Sequence, residues 1–393
     1  MPPSDISFFA RTNARSSSQP FGLRQPDRLL HVYVIGKTGT GKSTLLETLA
    51  RSDILAGRGC AVLDPHGDLV DRLMNAVPAG QRERIVFFDV TDLKEPYGYN
   101  PLRRVRPDKI PLAASGLMEA LKKLWSEAWG VRMEHILRNA LYTLLEYEGA
   151  RLPDILRLIS DASFRAMVVK SITNEQVKRF WLTEFPHYNP RYRQETIAPI
   201  QNKVGAFLAD PRLYRIFTGG EELRFRRIMD EGRVLLVNLS RGELGEDSSN
   251  LLGSLLVTTL SLAAYSRGEC PREERTPFFI YLDEFQLFTT LSTANMISEM
   301  RKFGIGLILA HQHLGQLAPE VRHAVLGNMG TLVTFRMGGE DAEFFAREFS
   351  PEFTAYDLLS LPNYDCYVRL MIGGSPTRPF SATTLNPDQN LLP

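Results

Sequence analysis

Short apolar runs alternate with helical periodicity along much of the chain. The runs have the length of strands and lie at 31–35, 60–64, 84–90, 233–240, 277–285, 304–312, 330–337 and 366–372. A helical stretch at 44–56 separates the first two runs. Strands that alternate with helices are typical of a parallel sheet covered by helices, so the pattern predicts an α/β fold with a mainly parallel sheet.

A long helical block interrupts this alternation. From about 113 to 230, apolar residues recur at the i, i+3 and i+4 spacing of buried helix faces, as in Met133, Ile136 and Leu137. Strand character returns only after this block. We therefore predict a flexible tail rich in Ser, Pro and Arg at 1–28. One α/β domain in two pieces follows at 29–112 and 231–393, and an all-α insertion at 113–230 separates the two pieces.

Composition is that of an ordinary soluble globular protein, with 44% apolar and 23% charged residues in 393. The three cysteines are far apart and form no CxxC pair, which argues against a disulfide framework or a zinc site and favours a reducing cytoplasm. The stretch 248–266 is uncharged but interrupted by Ser, Thr, Asn and Gly, so we expect a buried helix and no membrane span. The net charge of +1 gives no general electrostatic argument for nucleic acid.

A phosphate-binding pattern follows the first predicted strand. Residues 36–43, "GKTGTGKS", match GxxxxGK[ST] and open a predicted helix. In such a loop the glycines allow backbone N–H groups to surround phosphate oxygens, while Lys42 reaches the β- and γ-phosphates and Ser43 binds Mg²⁺. We expect ATP and Mg²⁺ as cofactors, with the nucleotide held by Gly36, Thr38, Gly39, Thr40, Gly41, Lys42, Ser43 and Thr44.

An acidic pair ends the apolar run 277–285. Asp283 is placed to bind Mg²⁺ together with Ser43, because it follows a buried strand. The next residue, Glu284, can orient and deprotonate a water molecule, which is the general-base role that hydrolysis requires. A small-molecule kinase would not need this second acid. The pair therefore favours ATP hydrolysis over phosphoryl transfer to a small molecule.

Two residues around the next apolar run have less specific patterns. Gln312 follows the strand 304–312 and is placed to sense a γ-phosphate, and Arg301 precedes it and could serve a neighbouring subunit as an arginine finger. By spacing alone, a strand-capping Gln and an ordinary surface Arg explain these two residues better than the catalytic roles do. His311 and His313 have no further ligands at a useful spacing, so we expect no zinc there.

The motifs together resemble the HerA–FtsK superfamily, and most closely its conjugative type IV coupling-protein branch. They occur in the order of that superfamily: "HVYVIGKTGTGKSTLL", "VLDPHGD", "YNPL", "VNLS", "IYLDEFQ", "RKFGIGLILAHQ" and "GNMGTLVTFR". The resemblance covers about 28–385 and implies a RecA-like domain with an all-α insertion, in a hexameric ring that pumps DNA using ATP. It also implies that Arg301 is the trans arginine finger, Gln312 the sensor and Asp64 a residue of the nucleotide pocket, whereas His66 stands where a Lys is frequent.

The chain departs from the family at its N terminus. We expect neither the transmembrane helices of membrane coupling proteins nor, in a tail of 28 residues, the β-barrel of HerA helicases. We therefore expect a trimmed motor in the cytoplasm that a partner could recruit to the membrane.

Any electrostatic case for DNA rests on local basic clusters, although a solvated helix face explains each cluster slightly better when it is taken singly. They lie at 103–106, 122–123, 188–193 and 224–227, and the third interleaves Tyr188 and Tyr192 with arginines. Our first hypothesis is a hexameric DNA translocase that binds DNA without regard to sequence and serves conjugation or type IV secretion. The alternatives are a HerA-like duplex DNA helicase working with a nuclease and an ATP-gated adaptor that docks a relaxase or another protein.

Overall fold

The computed structural model describes residues 6–14, 18–125 and 129–388. The chain divides into two compact units. The first comprises Met1–Phe88, Phe225–Ser240 and Ala263–Pro393, and the second comprises Asp89–Arg224 and Arg241–Leu262. The second unit therefore begins earlier than the predicted insertion and includes residues that we had assigned to the α/β domain.

The described residues contain fifteen strands, eleven of them in one sheet. In chain order they are β1 (Ile6–Thr12), β2 (Pro20–Arg24), β3 (Val32–Ile35), β4 (Gly59–Asp64), β5 (Ile85–Asp89), β6 (Tyr97–Gly98), β7 (Glu221–Glu222), β8 (Val234–Asn238), β9 (Phe278–Leu282), β10 (Ile305–His311), β11 (Thr331–Thr334), β12 (Asp365–Arg369), β13 (Met371–Ile372), β14 (Ser375–Pro376) and β15 (Phe380–Thr384).

The large sheet has the order β2-β1-β15-β12-β11-β3-β10-β9-β4-β8-β5. The strands from β11 to β8 are mutually parallel, and each was predicted from an apolar run. The strands β12, β15, β1 and β2 continue the sheet in antiparallel pairs. The predicted α/β fold with a mainly parallel sheet is confirmed.

The first two strands correct the prediction of a flexible tail. Within its described residues, β1 pairs with β15 and with β2, and both Phe9 and Ala10 are fully buried. The polar composition of this segment obscured a short hairpin whose alternate residues face the core. Arg28 is also buried, and its guanidinium contacts Asp53 of the helix after β3 at 2.6 Å.

Helices of the first unit cover the sheet. Leu45, Leu46 and Leu49 of the helix Lys42–Leu55 lie in one buried cluster with Val34 of β3 and Ala310 of β10. Removing one such leucine side chain costs about 2–5 kcal/mol, so this packing holds the helix start firmly beside the sheet. The helices of this unit are Gln25–Arg28, Lys42–Leu55, Asp68–Ala76, Phe225–Asp230, Leu291–Glu299, Pro319–Asn328, Gly339–Glu348 and Ala355–Ser360.

The second unit is mainly helical. Its longest complete helix, Pro190–Leu208, begins where Asn189 accepts a hydrogen bond from the amide of Tyr192 and proline occupies the first helical position. The other helices are Ile110–Leu124, Val131–Glu146, Asp154–Ser160, Ala162–Ser171, Glu175–Arg179, Phe185–His187, Pro211–Thr218 and Arg241–Leu244, with one π-helical turn at Phe180–Glu184.

One further helix, Glu246–Ser266, has residues in both units and contains the uncharged stretch identified in the sequence. Its mid-section is largely buried. Among the helices in the described part of the chain, none combines the length and the apolarity that a membrane span requires.

Candidate functional site

Three of the predicted catalytic residues, Lys42, Glu284 and Gln312, meet at the carboxyl edge of the parallel strands. In the sheet, β10 lies between β3 and β9, and all three run in the same direction. The phosphate loop follows β3, the acidic pair Asp283-Glu284 follows β9, and Gln312 follows β10. Ligands of open α/β sheets bind at this edge, so the topology explains how residues far apart in sequence form one site.

The loop backbone is shaped for close approach to an anion. Gly39 and Gly41 have φ values of 75° and 121°, which residues with a Cβ rarely adopt. At Gly36 a Cβ would lie only 2.6 Å from the Cβ of Phe335. The helix then begins at Lys42, and no side chain caps its N terminus within the described residues. Its first N–H groups therefore point to a site for phosphate.

Lys42 is buried within this loop. Its Nζ donates to the carbonyl oxygens of Gly36 at 2.8 Å and Lys37 at 3.2 Å. Burial lowers the pKa of Lys42, and the negative charges of Glu284 and Asp283 partly offset this effect. A desolvated ammonium group held beside two carboxylates suits the binding of a polyanion, which would compensate the cost of burying the charge.

Ser43 and Asp283 form the candidate Mg²⁺ position. The Ser43 hydroxyl donates to Oδ2 of Asp283 at 2.8 Å, although 240 residues separate them in the chain. Burial raises the pKa of Asp283, the bond from Ser43 lowers it and the charge of Glu284 raises it further. A divalent cation would stabilise the ionised carboxylate in this setting. The donor set of one hydroxyl and one carboxylate therefore fits Mg²⁺.

Glu284 is oriented by two amide side chains. Gln312 donates from Nε2 to Oε1 of Glu284 at 2.9 Å, and Gln286 donates from Nε2 to Oε2 at 2.6 Å. Glu284 itself has a φ of 45°, in the left-handed region. Both carboxylate oxygens are thus fixed in one orientation, as a general base requires. The sequence predicts a role for Gln312 but not for Gln286, for which the available signal is its position two residues after Glu284 in the same turn.

Asp64 lies at the end of β4 and is almost fully buried. Its carboxylate accepts hydrogen bonds from three backbone amides: Oδ1 from His66, and Oδ2 from Leu69 and Val70. These contacts hold the turn into the helix Asp68–Ala76. The structure thus gives Asp64 a turn-stabilising role, and its contact with the nucleotide stays a prediction.

The threonines of the loop have distinct surroundings. Thr40 is buried and its hydroxyl donates to the carbonyl of Lys37 at 2.7 Å, which stabilises the loop itself. Thr38 is exposed at the loop tip, and Thr44 lies half-buried in the first turn of the helix. Their predicted contacts with the nucleotide stay predictions.

Arg301 lies at the opposite edge of the sheet. It belongs to the 3-10 turn Met300–Phe303 that precedes β10, whereas Gln312 follows that strand. At roughly 3.3 Å per residue, the strand separates the two ends by about 20 Å. The pKa of His31, which precedes β3 at the same amino edge, is lowered to about 4 chiefly by burial, with a smaller contribution from the charge of Arg301. The structure therefore does not bring Arg301 to the phosphate loop of its own chain.

The predicted basic clusters are largely paired with carboxylates. Arg104 lies 3.2 Å from Glu148 and Arg106 lies 2.8 Å from Asp108, both as exposed ion pairs. The other pairs of these clusters are Arg103–Glu222, Lys122–Glu134, Arg191–Glu195, Arg226–Asp230 and Arg227–Glu231. Exposed pairs of this kind contribute only about 0–1 kcal/mol each, so phosphate groups can compete for the arginines.

The aromatic cluster 188–193 is also engaged within its own unit. Tyr188 and Tyr192 contact each other edge to face with ring centroids 4.9 Å apart, and Arg132 stacks on Tyr192 at 4.9 Å. The hydroxyl of Tyr188 donates to Glu184. Base stacking by these rings, which their composition suggested, would require this packing to open.

The site as a whole fits Mg·ATP. The uncapped helix start and Lys42 would hold phosphates, and Ser43 with Asp283 would hold the metal. Bound Mg²⁺ would supply positive charge to the phosphate oxygens. Glu284, held by Gln312, would then accept a proton from a water molecule.

Comparison with known proteins decides the family. The sequence model described as "Helicase HerA, central domain" matches residues 15–260. The chain belongs to this HerA family. A second model, "Type IV secretion-system coupling protein DNA-binding domain", matches residues 239–350 of this HerA-family protein. With the loop and acidic pair in place, it is a P-loop ATPase that uses ATP and Mg²⁺.

Individual relatives have low sequence identity to this chain. The HerA-family chain is 21% identical over 369 residues to the type 4 coupling protein DotL of Legionella pneumophila, with 79% of this chain and 47% of DotL covered. The chain thus spans about half the length of that relative. A structure of the bacterial conjugative coupling protein TrwB covers 96% of this chain and 89% of its own, with 15% identity and a TM-score of 0.65. VirB4 of Thermoanaerobacter pseudethanolicus covers 96% of both chains, with 14% identity and a TM-score of 0.64. These likenesses show a shared fold.

Proposed function

We propose that this HerA-family ATPase is a ring-forming motor that moves DNA in a type IV secretion or conjugation system. The observation that carries the proposal is the separation of Arg301 from the catalytic Glu284 by the length of β10. An ATPase whose finger lies on the far edge of its sheet needs a neighbour to complete each site. Such an ATPase would therefore act as an assembly of several subunits.

The assembly would be head to tail. Each subunit presents the phosphate loop and Glu284 at one edge of its sheet and Arg301 at the other. Contacts between two different surfaces repeat from subunit to subunit and form a closed ring when the rotation closes. A finger supplied by the next subunit makes hydrolysis in one site depend on its neighbour, which suits sequential firing around a ring. The proposed ring is a hexamer, in keeping with the family resemblance.

DNA is the proposed substrate of the movement. Support comes from the match of residues 239–350 to a coupling-protein DNA-binding domain and from the relatives named as coupling proteins. The exposed ion-paired arginines can exchange a carboxylate for a phosphate, which is a contact without sequence preference. Because several copies of each surface would face one channel, a net charge of +1 per chain is no obstacle.

A partner protein would link this motor to its pathway. The relatives DotL and TrwB are named as coupling proteins, and a relaxase that delivers DNA would be the corresponding partner here. Recruitment to the membrane by a secretion machine belongs to the same proposal.

A second candidate is a duplex DNA translocase that works with a nuclease. The match to the HerA central domain over residues 15–260 favours it. The two candidates share the same chemistry and differ in the DNA that they move. A coupling motor would respond to single-stranded DNA, whereas a HerA-like motor would respond to duplex DNA.

The test is the ATPase rate without DNA, with single-stranded DNA and with duplex DNA at matched nucleotide concentration. The proposal expects stimulation by DNA, by the single strand for the first candidate and by the duplex for the second. Glu284→Gln, which removes the base while conserving shape, should bind ATP without turnover. Rates that respond to a relaxase or another partner but to neither DNA would contradict both candidates and would indicate an adaptor that hydrolyses ATP to release its partner.

A further inference from the structure

Tyr364 has an unusual backbone conformation beside the phosphate loop. Its φ is 69°, in the left-handed region that residues with a Cβ rarely adopt. The Tyr364 amide donates to the carbonyl oxygen of Thr40 at 2.7 Å, and its own carbonyl accepts from the amide of Thr384 at 2.9 Å. One bond to the loop and one to the last strand of the sheet therefore hold a conformation that is costly for tyrosine. Strain of this kind is concentrated at functional sites.

The ring of Tyr364 lies against the start of the phosphate-binding helix. A Cβ added to Gly41 would come within 3.2 Å of Cδ1 of Tyr364. Tyr364 nevertheless remains 50% exposed. An aromatic ring that touches the loop and keeps half of its surface in solvent can contact whatever the loop binds. None of the catalytic roles assigned above uses this residue.

The sheet order places Tyr364 on the nucleoside side of the loop. β3 lies between β10 and β11, and β12 follows β11. Glu284 and Gln312 lie on the β10 side, where the terminal phosphate must be cleaved. Tyr364 immediately precedes β12, which is antiparallel to β11, so it lies at the same carboxyl edge but across β3 from the catalytic pair. The nucleoside is at the other end of the phosphate chain from the γ-phosphate, so a nucleotide with its γ-phosphate at Gln312 can extend its nucleoside toward Tyr364.

We propose that Tyr364 stacks on the base of the bound nucleotide and sets how tightly the nucleoside, as distinct from the phosphate chain, is held. Stacking uses the π-face that every base has, so this contact adds affinity without selecting adenine over guanine. The proposal concerns the ATP site of this family and does not depend on movement of DNA. Its failure would leave the motor proposal intact.

The test compares ligands with and without a base on variants with and without the ring. Tyr364→Gly removes the ring and accepts the positive φ, while Tyr364→Phe retains the ring. Dissociation constants for ADP, GDP and tripolyphosphate are measured by calorimetry with Mg²⁺ present. We expect Tyr364→Gly to bind ADP and GDP about tenfold more weakly and to bind tripolyphosphate like the wild type. Tyr364→Phe should bind all three like the wild type.

The matched control is Tyr356→Ala, because Tyr356 is a 76% exposed tyrosine on the helix Ala355–Ser360. It should leave all three constants unchanged. If Tyr364→Gly fails to fold, Tyr364→Asn also tolerates a left-handed backbone and lacks the ring. Wild-type affinity for ADP in the variant without the ring would overturn the proposal. Equally weakened binding of tripolyphosphate would show that Tyr364 acts on the shape of the loop alone. Loss of affinity in Tyr364→Phe would assign the effect to the hydroxyl. Either result would also overturn the proposal.

Discussion

The position of Arg301 leads to a prediction that separates a shared site from a self-contained one. Arg301→Ala should abolish most ATP turnover while ATP binding persists, because the finger acts on transition-state charge. Fingers of this kind contribute about 10³–10⁵ in rate, or roughly 4–7 kcal/mol of transition-state stabilisation. The distance of about 20 Å along β10 excludes contact with the phosphate loop of the same chain. Arg301 can therefore serve as a finger only in the site of a neighbouring subunit.

Mixed assemblies test that origin. Arg301→Ala subunits retain Glu284, and Glu284→Gln subunits retain Arg301, so each inactive variant has what the other lacks. In a head-to-tail ring mixed in equal amounts, about a quarter of the sites combine an intact Glu284 with an intact neighbouring Arg301. The steady-state ATPase rate of the mixture should therefore rise well above the sum of the two separate variants. The assay is a coupled phosphate-release measurement across mixing ratios.

The control is Lys302→Ala in the same 3-10 turn, whose side chain is exposed and only 3.8 Å from Glu299 as a surface pair. It should retain the wild-type rate. Wild-type turnover in Arg301→Ala would refute the finger assignment. A mixture no faster than its components would refute the sharing of sites between neighbours.

Three other predictions concern the packing around the loop and the general base. Gln312→Ala should lower kcat about 10²-fold with ATP affinity unchanged, since Glu284 loses one of its two orienting bonds; stopped-flow phosphate release measures this. Gly41→Ala should weaken ATP binding at least about tenfold, because its φ of 121° is unsuited to alanine; calorimetry measures this. Asp53→Asn should lower the free energy of unfolding in urea by about 3–5 kcal/mol, because Arg28 would stay buried without its charged partner. Burial alone would raise the pKa of Asp53, but Arg28 holds this pKa below its ordinary value. The stabilisation by the ion pair is therefore present above about pH 3.9, the pKa in the unfolded chain, and is lost as the pH falls through the lower pKa of the folded state.

Two of these predictions have a matched control variant. Gly338→Ala changes a glycine with φ of −80° and open space at its Cβ, so ATP binding should be unaffected. Asp388→Asn breaks an ion pair with Arg51 in which the aspartate is 86% exposed, and should change the free energy of unfolding by less than about 1 kcal/mol. For Gln312→Ala, an unchanged kcat would show that Gln286 alone orients the base.

The sequence predicted those parts of the site that consist of contiguous residues. The phosphate loop, Asp283 and Glu284 were identified because each motif is short and its strand-end context is readable from apolar runs. The parallel order of β3, β10 and β9 then follows from topology that no local pattern contains, and it brings Gln312 to Glu284 across 28 residues of chain. The roles of these residues in turnover stay predictions for the assays above.

Features that depend on long-range packing were not predicted, because no local sequence pattern contains them. The hairpin β1–β2 is stabilised by pairing with β15, more than 350 residues away, and its polar composition suggested a tail. Backbone hydrogen bonds with Thr40 and Thr384 position Tyr364, and the residues next to it in the sequence do not indicate a positive φ. Burial of Arg28 against Asp53 was likewise invisible, because arginine in a sequence predicts a surface position.

Displacement of a roadblock shows whether ATP hydrolysis moves DNA through this protein. Biotinylated single-stranded and duplex DNA carrying bound streptavidin are incubated with the protein, Mg²⁺ and ATP, and free streptavidin is measured over time. If the protein moves DNA, the wild type displaces streptavidin with ATP, whereas a non-hydrolysable analogue gives no displacement and neither does Glu284→Gln. Robust ATP hydrolysis that leaves streptavidin on both DNAs would contradict the proposed motor function.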